Sequence, residues 1–172
     1  METQAVEQEI IDIPTPEPAV GHRTGRILVA EDDVHMRRLI AATLRAAGYR
    51  VVEACDGAEV LERVESTIWH DRHGLFGAIV ADMNMPALTG LDVLAALRCA
   101  EIDTPFILVT AFGDEGVRAE AKWLGATAVL DKPFGLDALR SSVRSALQGS
   151  GPGGVSSPIV TPLRFGAGRR PH

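Results

Sequence analysis

The chain lacks the features that mark most exported, membrane-embedded and nucleic-acid-binding proteins. Its two cysteines, Cys55 and Cys99, have neither CxxC spacing nor an adjacent histidine, so neither a disulfide framework nor a zinc site is indicated. No apolar run approaches the ~20 residues of a membrane span, and the N-terminus lacks the basic and apolar regions of a signal peptide. The net charge of −6, without a dense basic stretch, disfavours nucleic-acid binding. We therefore expect a reduced, cytoplasmic protein.

The two ends of the chain have the composition of disordered tails. Residues 1–24 are acidic and contain Pro14, Pro16 and Pro18, while residues 149–172 hold six Gly and four Pro. With 46% hydrophobic residues, the intervening part can form one core of ordinary size. We predict a single folded domain over residues 25–148.

Short β-rich runs alternate with stretches of helical period in this domain. The predicted strands span residues 26–30, 50–54, 77–81, 105–110 and 127–130. We expect all of the apolar helical stripes to be core, including those that contain Leu39, Ala47 and Ile68. The pattern predicts an α/β fold: a doubly wound, flavodoxin-like three-layer sandwich with a five-stranded parallel sheet in the order 2-1-3-4-5. Right-handed crossovers would place every strand's carboxyl end at one edge.

Polar residues gather at that edge. Glu31 and Asp32 follow the first strand, Asp82 follows the third in IVADMNMP, Thr110 ends the fourth, and Lys132 follows the fifth. An isolated strand-end Asp is usually a turn residue. Three neighbouring carboxylates call for another explanation than a turn. Two charges ~5 Å apart repel by about 3 kcal/mol at an effective dielectric near 20, so three ionised carboxylates need a cation beside them. Oxygen ligands suit Mg2+ and an accompanying phosphoryl group, which Lys132 and Thr110 could bind.

Four separated segments, ILVAEDD, IVADMNMP, ILVTA and LDKPF, occur in this order. Over about residues 25–148 the chain therefore resembles a response-regulator receiver domain of two-component signalling. The resemblance implies that Asp82 becomes an aspartyl phosphate, with a phosphohistidine on a sensor histidine kinase or histidine phosphotransfer protein as donor. It also implies a cis Lys132–Pro133 peptide. The implied Mg2+ ligands are Glu31, Asp32, Asp82 and the backbone carbonyl of Asn84, and the implied phosphoryl-binding residues are Thr110 and Lys132.

Several residues have structural interpretations or depart from the family pattern. Asp33, Asp56 and Thr89 are predicted helix N-caps, and Trp123 is expected to pack in the core. Val129 stands where receivers often carry an aromatic residue, so coupling from Asp82 would have to use Thr110 and backbone movement.

The remaining predictions concern two loops. The loop at residues 69–76 looks longer than is usual for the family, and its His70 and His73 are interpreted as surface histidines. Asn84 and Phe112 flank the expected path of water, and we hypothesise that Phe112 shields the acyl phosphate.

The sequence is compatible with three functions. The first is a stand-alone phosphorylation switch that signals through protein contacts, since no DNA-binding motif or catalytic domain follows residue 148. The second is a phosphatase of the haloacid-dehalogenase kind, whose general acid two residues after the nucleophile is replaced here by Asn84. The third is a binding module that is never phosphorylated. The complete set of acids, threonine and lysine favours the switch, which is not an enzyme beyond its own phosphorylation and dephosphorylation.

Overall fold

The computed structural model describes residues 25–70, 76–111 and 115–149. Strands and helices alternate along the chain. The strands are β1 (Arg26–Ala30), β2 (Arg50–Ala54), β3 (Ala78–Asp82), β4 (Phe106–Thr110) and β5 (Ala128–Asp131). The helices are α1 (Val34–Ala46), α2 (Gly57–His70), α3 (Gly90–Cys99), α4 (Glu115–Trp123) and α5 (Leu136–Gln148).

All strand pairs are parallel and the sheet order is β2-β1-β3-β4-β5, which confirms the predicted topology. In the central pair, Ala30 at the end of β1 lies opposite Ala81 in β3. The residues that follow this pair, Glu31 just beyond β1 and Asp82 at the end of β3, are therefore neighbours. The sheet thus brings together two acids that are far apart in sequence.

Two hydrophobic layers cover the sheet. One contains Val60 and Leu94 from α2 and α3, and the other contains Leu44 and Val143 from α1 and α5. Every residue of β3 and β4 is buried, as expected for strands covered by helices on both faces. The three-layer architecture is the predicted one.

For three residues of the apolar helical stripes, the prediction of a core position is wrong. Leu39 is 47% exposed and Ile68 is 50% exposed, and Ala47 is also exposed. In α2 the buried position belongs to Thr67, which is one step of about 100° around the helix from Ile68. The Thr67 hydroxyl can be buried because it donates to the carbonyl of Arg63 at 2.8 Å.

The prediction of a core role for Trp123 is also wrong, because its side chain is 73% exposed. Ala121 is the fully buried residue of α4. Two residues correspond to about 200° of rotation along a helix, so Trp123 lies on the face opposite Ala121.

The predicted N-caps are confirmed. Asp33 Oδ1 accepts a hydrogen bond from the Met36 amide at 2.7 Å, and Thr89 forms a reciprocal capping box with Asp92. Asp56 accepts from the Glu59 amide at 2.8 Å. These bonds satisfy amides that have no partner within the first turn of a helix.

Glu59 also stabilises the start of α2. Its carboxylate accepts from the Cys55 amide at 2.8 Å and from the Arg63 guanidinium at 2.8 Å. These bonds, that of Cys55 first, lower the pKa of Glu59 to about 2. The carboxylate is therefore charged throughout the neutral and mildly acidic range.

Arg98 joins two loops near the end of α3. Its guanidinium donates to the carbonyl of Ile102 at 2.6 Å, to that of Thr104 at 3.2 Å and to that of Gly125 at 3.1 Å. Burial lowers the pKa of Arg98, but a guanidinium remains charged in proteins. One side chain thus connects the loop before β4 to the loop before β5.

Candidate functional site

Three acids meet at the carboxyl edge of the sheet, as predicted. Glu31 and Asp32 follow β1, and Asp82 is the last residue of β3. One carboxylate oxygen from each lies within 4.8 Å of the other two. Glu31 is 1% exposed and Asp82 is 5% exposed, whereas Asp32 faces solvent. An all-oxygen set that is open to water on one side fits Mg2+, which keeps part of its hydration shell.

Burial disfavours the charged form of Glu31. Loss of solvation raises its pKa above the ordinary value, although the hydrogen bond from Lys132 opposes this effect, and the charge of Asp82 raises the pKa further. A cation beside the carboxylates would favour the ionised form. Ionised Glu31 is thus unfavourable at this edge, and a bound cation would relieve it.

Lys132 bridges two of the acids. Its ammonium lies 2.7 Å from Glu31 Oε2 and 2.7 Å from Asp82 Oδ1. Burial lowers the pKa of this lysine, but the bonds and charges of Asp82 and Glu31 outweigh it, so the pKa is raised and the side chain stays cationic. The Lys132–Pro133 peptide is cis, as the resemblance implied.

The carboxylate of Asp82 is held from two sides. Oδ1 contacts the Lys132 ammonium, and Oδ2 accepts from the Asn84 amide at 2.9 Å. This second bond forms an Asx turn, which is the usual structural role of an Asp at the end of a strand. Asp82 therefore combines a turn bond with membership of the acid cluster. The part of the Asn84 carbonyl in metal binding stays a prediction.

Thr110 reaches the same edge from β4. It is 1% exposed, and its carbonyl accepts from the Lys132 amide at 2.7 Å. The backbone thereby fixes the ends of β4 and β5 relative to one another. The expected bond from the Thr110 hydroxyl to a phosphoryl group remains a prediction.

Two contacts near the site were not predicted. Gly90, the first residue of α3, packs so closely that an added Cβ would lie 2.5 Å from the Asp82 carbonyl oxygen. Arg37, in the first turns of α1, donates to the Glu31 carbonyl at 2.6 Å. A glycine at a helix start and an arginine on an amphipathic helix are common, so neither carried a specific signal in the sequence.

Val129 packs against the hydrophobic layer that contains α2 and α3. It is partly buried, and the proposed consequence for switching stays a prediction. Residues 69 and 70 belong to α2 and not to the predicted 69–76 loop, because helical pairing continues to His70. The described residues do not include Phe112, His73, the side chain of His70, residues 71–75 or the predicted tails, apart from Gly149. Of the helices within the described ranges, none has both the length and the apolar character needed to cross a membrane.

Comparison with known proteins adds an independent observation. Residues 27–144 match the family described as response regulator receiver domain. The transcriptional regulatory protein DctD of Pseudomonas aeruginosa, named for C4-dicarboxylate transport, is 36% identical over 72% of this chain and 25% of its own length. FixJ of Bradyrhizobium diazoefficiens, another transcriptional regulatory protein, is 30% identical over 79% of this chain and 63% of its own length. The chain thus spans less than two thirds of these curated relatives.

Solved structures agree with the fold. The chemotaxis response regulator CheY4 of Vibrio cholerae has a TM-score of 0.63 and 31% identity, over 72% of this chain and 99% of that chain. The receiver domain of Francisella response regulator 1452 has a TM-score of 0.66 and 28% identity, over 73% of this chain and 98% of that chain. The family match over residues 27–144 includes all of the site residues described above.

Proposed function

Because the chain belongs to the response regulator receiver domain family, we propose that it is a phosphorylation switch in which Asp82 is the phosphoryl acceptor. The observation that carries this proposal is the position of Asp82, which shares an acid cluster with Glu31 and Asp32 while one of its oxygens contacts the Lys132 ammonium. A structural turn residue needs neither the cluster nor the lysine.

The proposed chemistry is direct phosphoryl transfer. A carboxylate oxygen of Asp82 attacks the phosphorus of a phosphohistidine, the P–O bond forms, and the P–N bond breaks. The electron pair stays on the imidazole nitrogen, which takes up a proton. The Lys132 ammonium would pair with one phosphoryl oxygen, and the Thr110 hydroxyl would donate to another.

Magnesium fits the remaining charge requirement. Glu31, Asp32, Asp82 and the backbone carbonyl of Asn84 would hold the ion, with water completing its shell. When bound, it would neutralise the carboxylates and the incoming phosphoryl oxygens. The protein's own contribution is to keep the acids close together and to hold Lys132 opposite them.

The partners and the output are part of the proposal. The donor would be a sensor histidine kinase or a histidine phosphotransfer protein, and the output would be protein–protein contacts of a single-domain regulator. A reducing cytoplasm is the proposed compartment, in keeping with Cys55 and Cys99, which are both free thiols. The downstream target could be sought by comparing proteins captured by the beryllofluoride-treated and the untreated protein.

The assignment of Asp82 can be tested with Mg2+ and acetyl phosphate. Intact-mass spectrometry should show one added phosphoryl group in the parent protein and none in Asp82→Asn. Asp137→Asn is a matched control because this acid, at the start of α5, has a 96% exposed side chain. We expect the control to be labelled like the parent. Undiminished labelling of Asp82→Asn would refute the assignment.

A further inference from the structure

Arg37 connects α1 to the loop that carries two of the acids. Its Nη1 donates to the Glu31 carbonyl at 2.6 Å and lies 3.4 Å from the Asp32 carbonyl. Strand β1 ends at Ala30, so these two carbonyls lie beyond the sheet ladder. The Glu31 amide, in contrast, donates to the Ala54 carbonyl at 3.3 Å. Arg37 and β2 thus hold the two sides of the same backbone segment.

The guanidinium of Arg37 is itself fixed in place. Its Nε lies 3.6 Å from Glu53 Oε2 on β2, and its side chain is only 16% exposed. Glu53 is oriented in turn by Arg45, whose Nη2 lies 2.9 Å from Glu53 Oε1 and donates to the Val51 carbonyl at 3.1 Å. A chain of charged contacts therefore runs from β2 through Arg37 to the loop after β1.

We propose that Arg37 is a positioning residue for the metal site and that Glu53 orients it. This inference rests on the proposed Mg2+ site. Glu31 and Asp32 repel each other and Asp82, so a loop without its anchor would relax by moving the carboxylates apart. Mg2+ requires nearly ideal octahedral geometry, which makes its affinity sensitive to such a movement.

The direction of the change in Mg2+ affinity on replacing Arg37 distinguishes a positioning role from a purely electrostatic one. Arg37 is a positive charge close to a site for a divalent cation, so its removal would strengthen Mg2+ binding if charge alone acted. Loss of positioning would weaken binding. Outer partners that orient metal ligands typically contribute about 10- to 100-fold in affinity.

The test is a calorimetric titration of Mg2+ into the full chain without any phosphoryl donor. We expect Arg37→Met to bind Mg2+ about tenfold more weakly than the parent. Arg37→Lys should be intermediate, because its ammonium can approach a carbonyl but lacks the planar fork that also engages Glu53. Arg38→Met removes the same charge from the adjacent exposed position of α1 and should stay within about twofold of the parent.

Two further variants test the role of Glu53. Glu53→Gln should weaken Mg2+ binding by about threefold, and it should add little in the Arg37→Met background because both changes remove one linkage. Thermal melting without Mg2+ identifies any variant that fails to fold. If Arg37→Met is unfolded, Arg37→Lys and Glu53→Gln decide the question.

The outcomes distinguish this inference from the proposed function. If the parent binds Mg2+ and the folded Arg37 and Glu53 variants bind it equally well or more tightly, the positioning role is refuted and the metal site stands. If the parent itself does not bind Mg2+, both the proposed metal site and the positioning role of Arg37 are refuted.

Discussion

Replacing Gly90 with alanine would place a methyl group in a closely packed contact next to Asp82. The new Cβ would lie 2.5 Å from the Asp82 carbonyl oxygen and 2.6 Å from Leu108 Cδ1. The side chain of Leu108 is completely buried and has little space in which to rotate. The carbonyl belongs to β3 and cannot move without disturbing the sheet. Helix α3 would therefore have to shift outward.

The expected loss of stability in Gly90→Ala comes from overpacking that no side-chain movement can relieve. Added atoms in a packed core usually destabilise by about 1–3 kcal/mol, and a backbone clash belongs at the upper end of that range. Alanine's better helix propensity offsets at most about 1 kcal/mol of this loss. We expect Gly90→Ala to lower the free energy of unfolding by about 2 kcal/mol, and to slow phosphorylation because Asp82 is displaced.

Urea unfolding followed by circular dichroism measures the stability change, and acetyl phosphate labelling measures the second effect. Gly135→Ala is the matched control, since a Cβ there meets no atom within 4 Å and the backbone has φ −74°. Gly135 is the N-cap of α5, a position where glycine is preferred to alanine, so we expect a loss of at most about 1 kcal/mol, which is smaller than that of Gly90→Ala. Equal unfolding midpoints for the Gly90→Ala and Gly135→Ala proteins would refute this reasoning.

Two further predictions concern stability away from the site. The depressed pKa of Glu59 means that its contribution is fully present above its ordinary value of 4.5 and is lost as the pH falls toward about 2. Glu59→Gln should therefore be about 1–2 kcal/mol less stable than the parent at neutral pH, and this difference in unfolding free energy should shrink in acid. A Glu62→Gln control should match the parent at every pH. A difference that does not change with pH in urea titrations would contradict this prediction. Arg98→Met should lose about 2 kcal/mol because three carbonyls lose a charged donor, while the exposed control Arg144→Met should lose less than about 0.5 kcal/mol. Equal unfolding midpoints for these two arginine variants would contradict the connecting role of Arg98.

Local patterns were sufficient to predict the fold and the acid cluster. Alternation of β-rich runs with helical periods identifies parallel β-α units, and the crossover rule then brings their carboxyl ends to one edge. The sheet order and the proximity of Glu31, Asp32 and Asp82 follow this prediction. The third, fourth and fifth strands begin one residue later than predicted, and the third and fifth also end one residue later, so that Asp82 is itself the last residue of β3. Strand ends depend on pairing with a neighbouring strand, which a local pattern does not contain.

Predictions for individual helical faces were less successful. Leu39, Ile68 and Trp123 are apolar residues that lie at the surface. Apolar character predicts burial only if the helix turns that side chain toward the sheet, and the choice between adjacent positions depends on how the helix packs. Helix α2 turns Thr67 rather than Ile68 inward, and the hydroxyl of Thr67 is satisfied by the Arg63 carbonyl.

The class of fold, the acids at the strand ends and the accompanying lysine could all be predicted from the sequence, because each follows from local periodicity and a regular rule of chain connection. Three contacts became visible only in the folded molecule: Lys132 bridges Glu31 and Asp82, Arg37 anchors the loop after β1, and Gly90 leaves no space beside Asp82. Such contacts depend on side-chain reach and on distances of a few ångströms between separate elements. Those distances are set when the helices pack against the sheet, and no spacing along the chain encodes them.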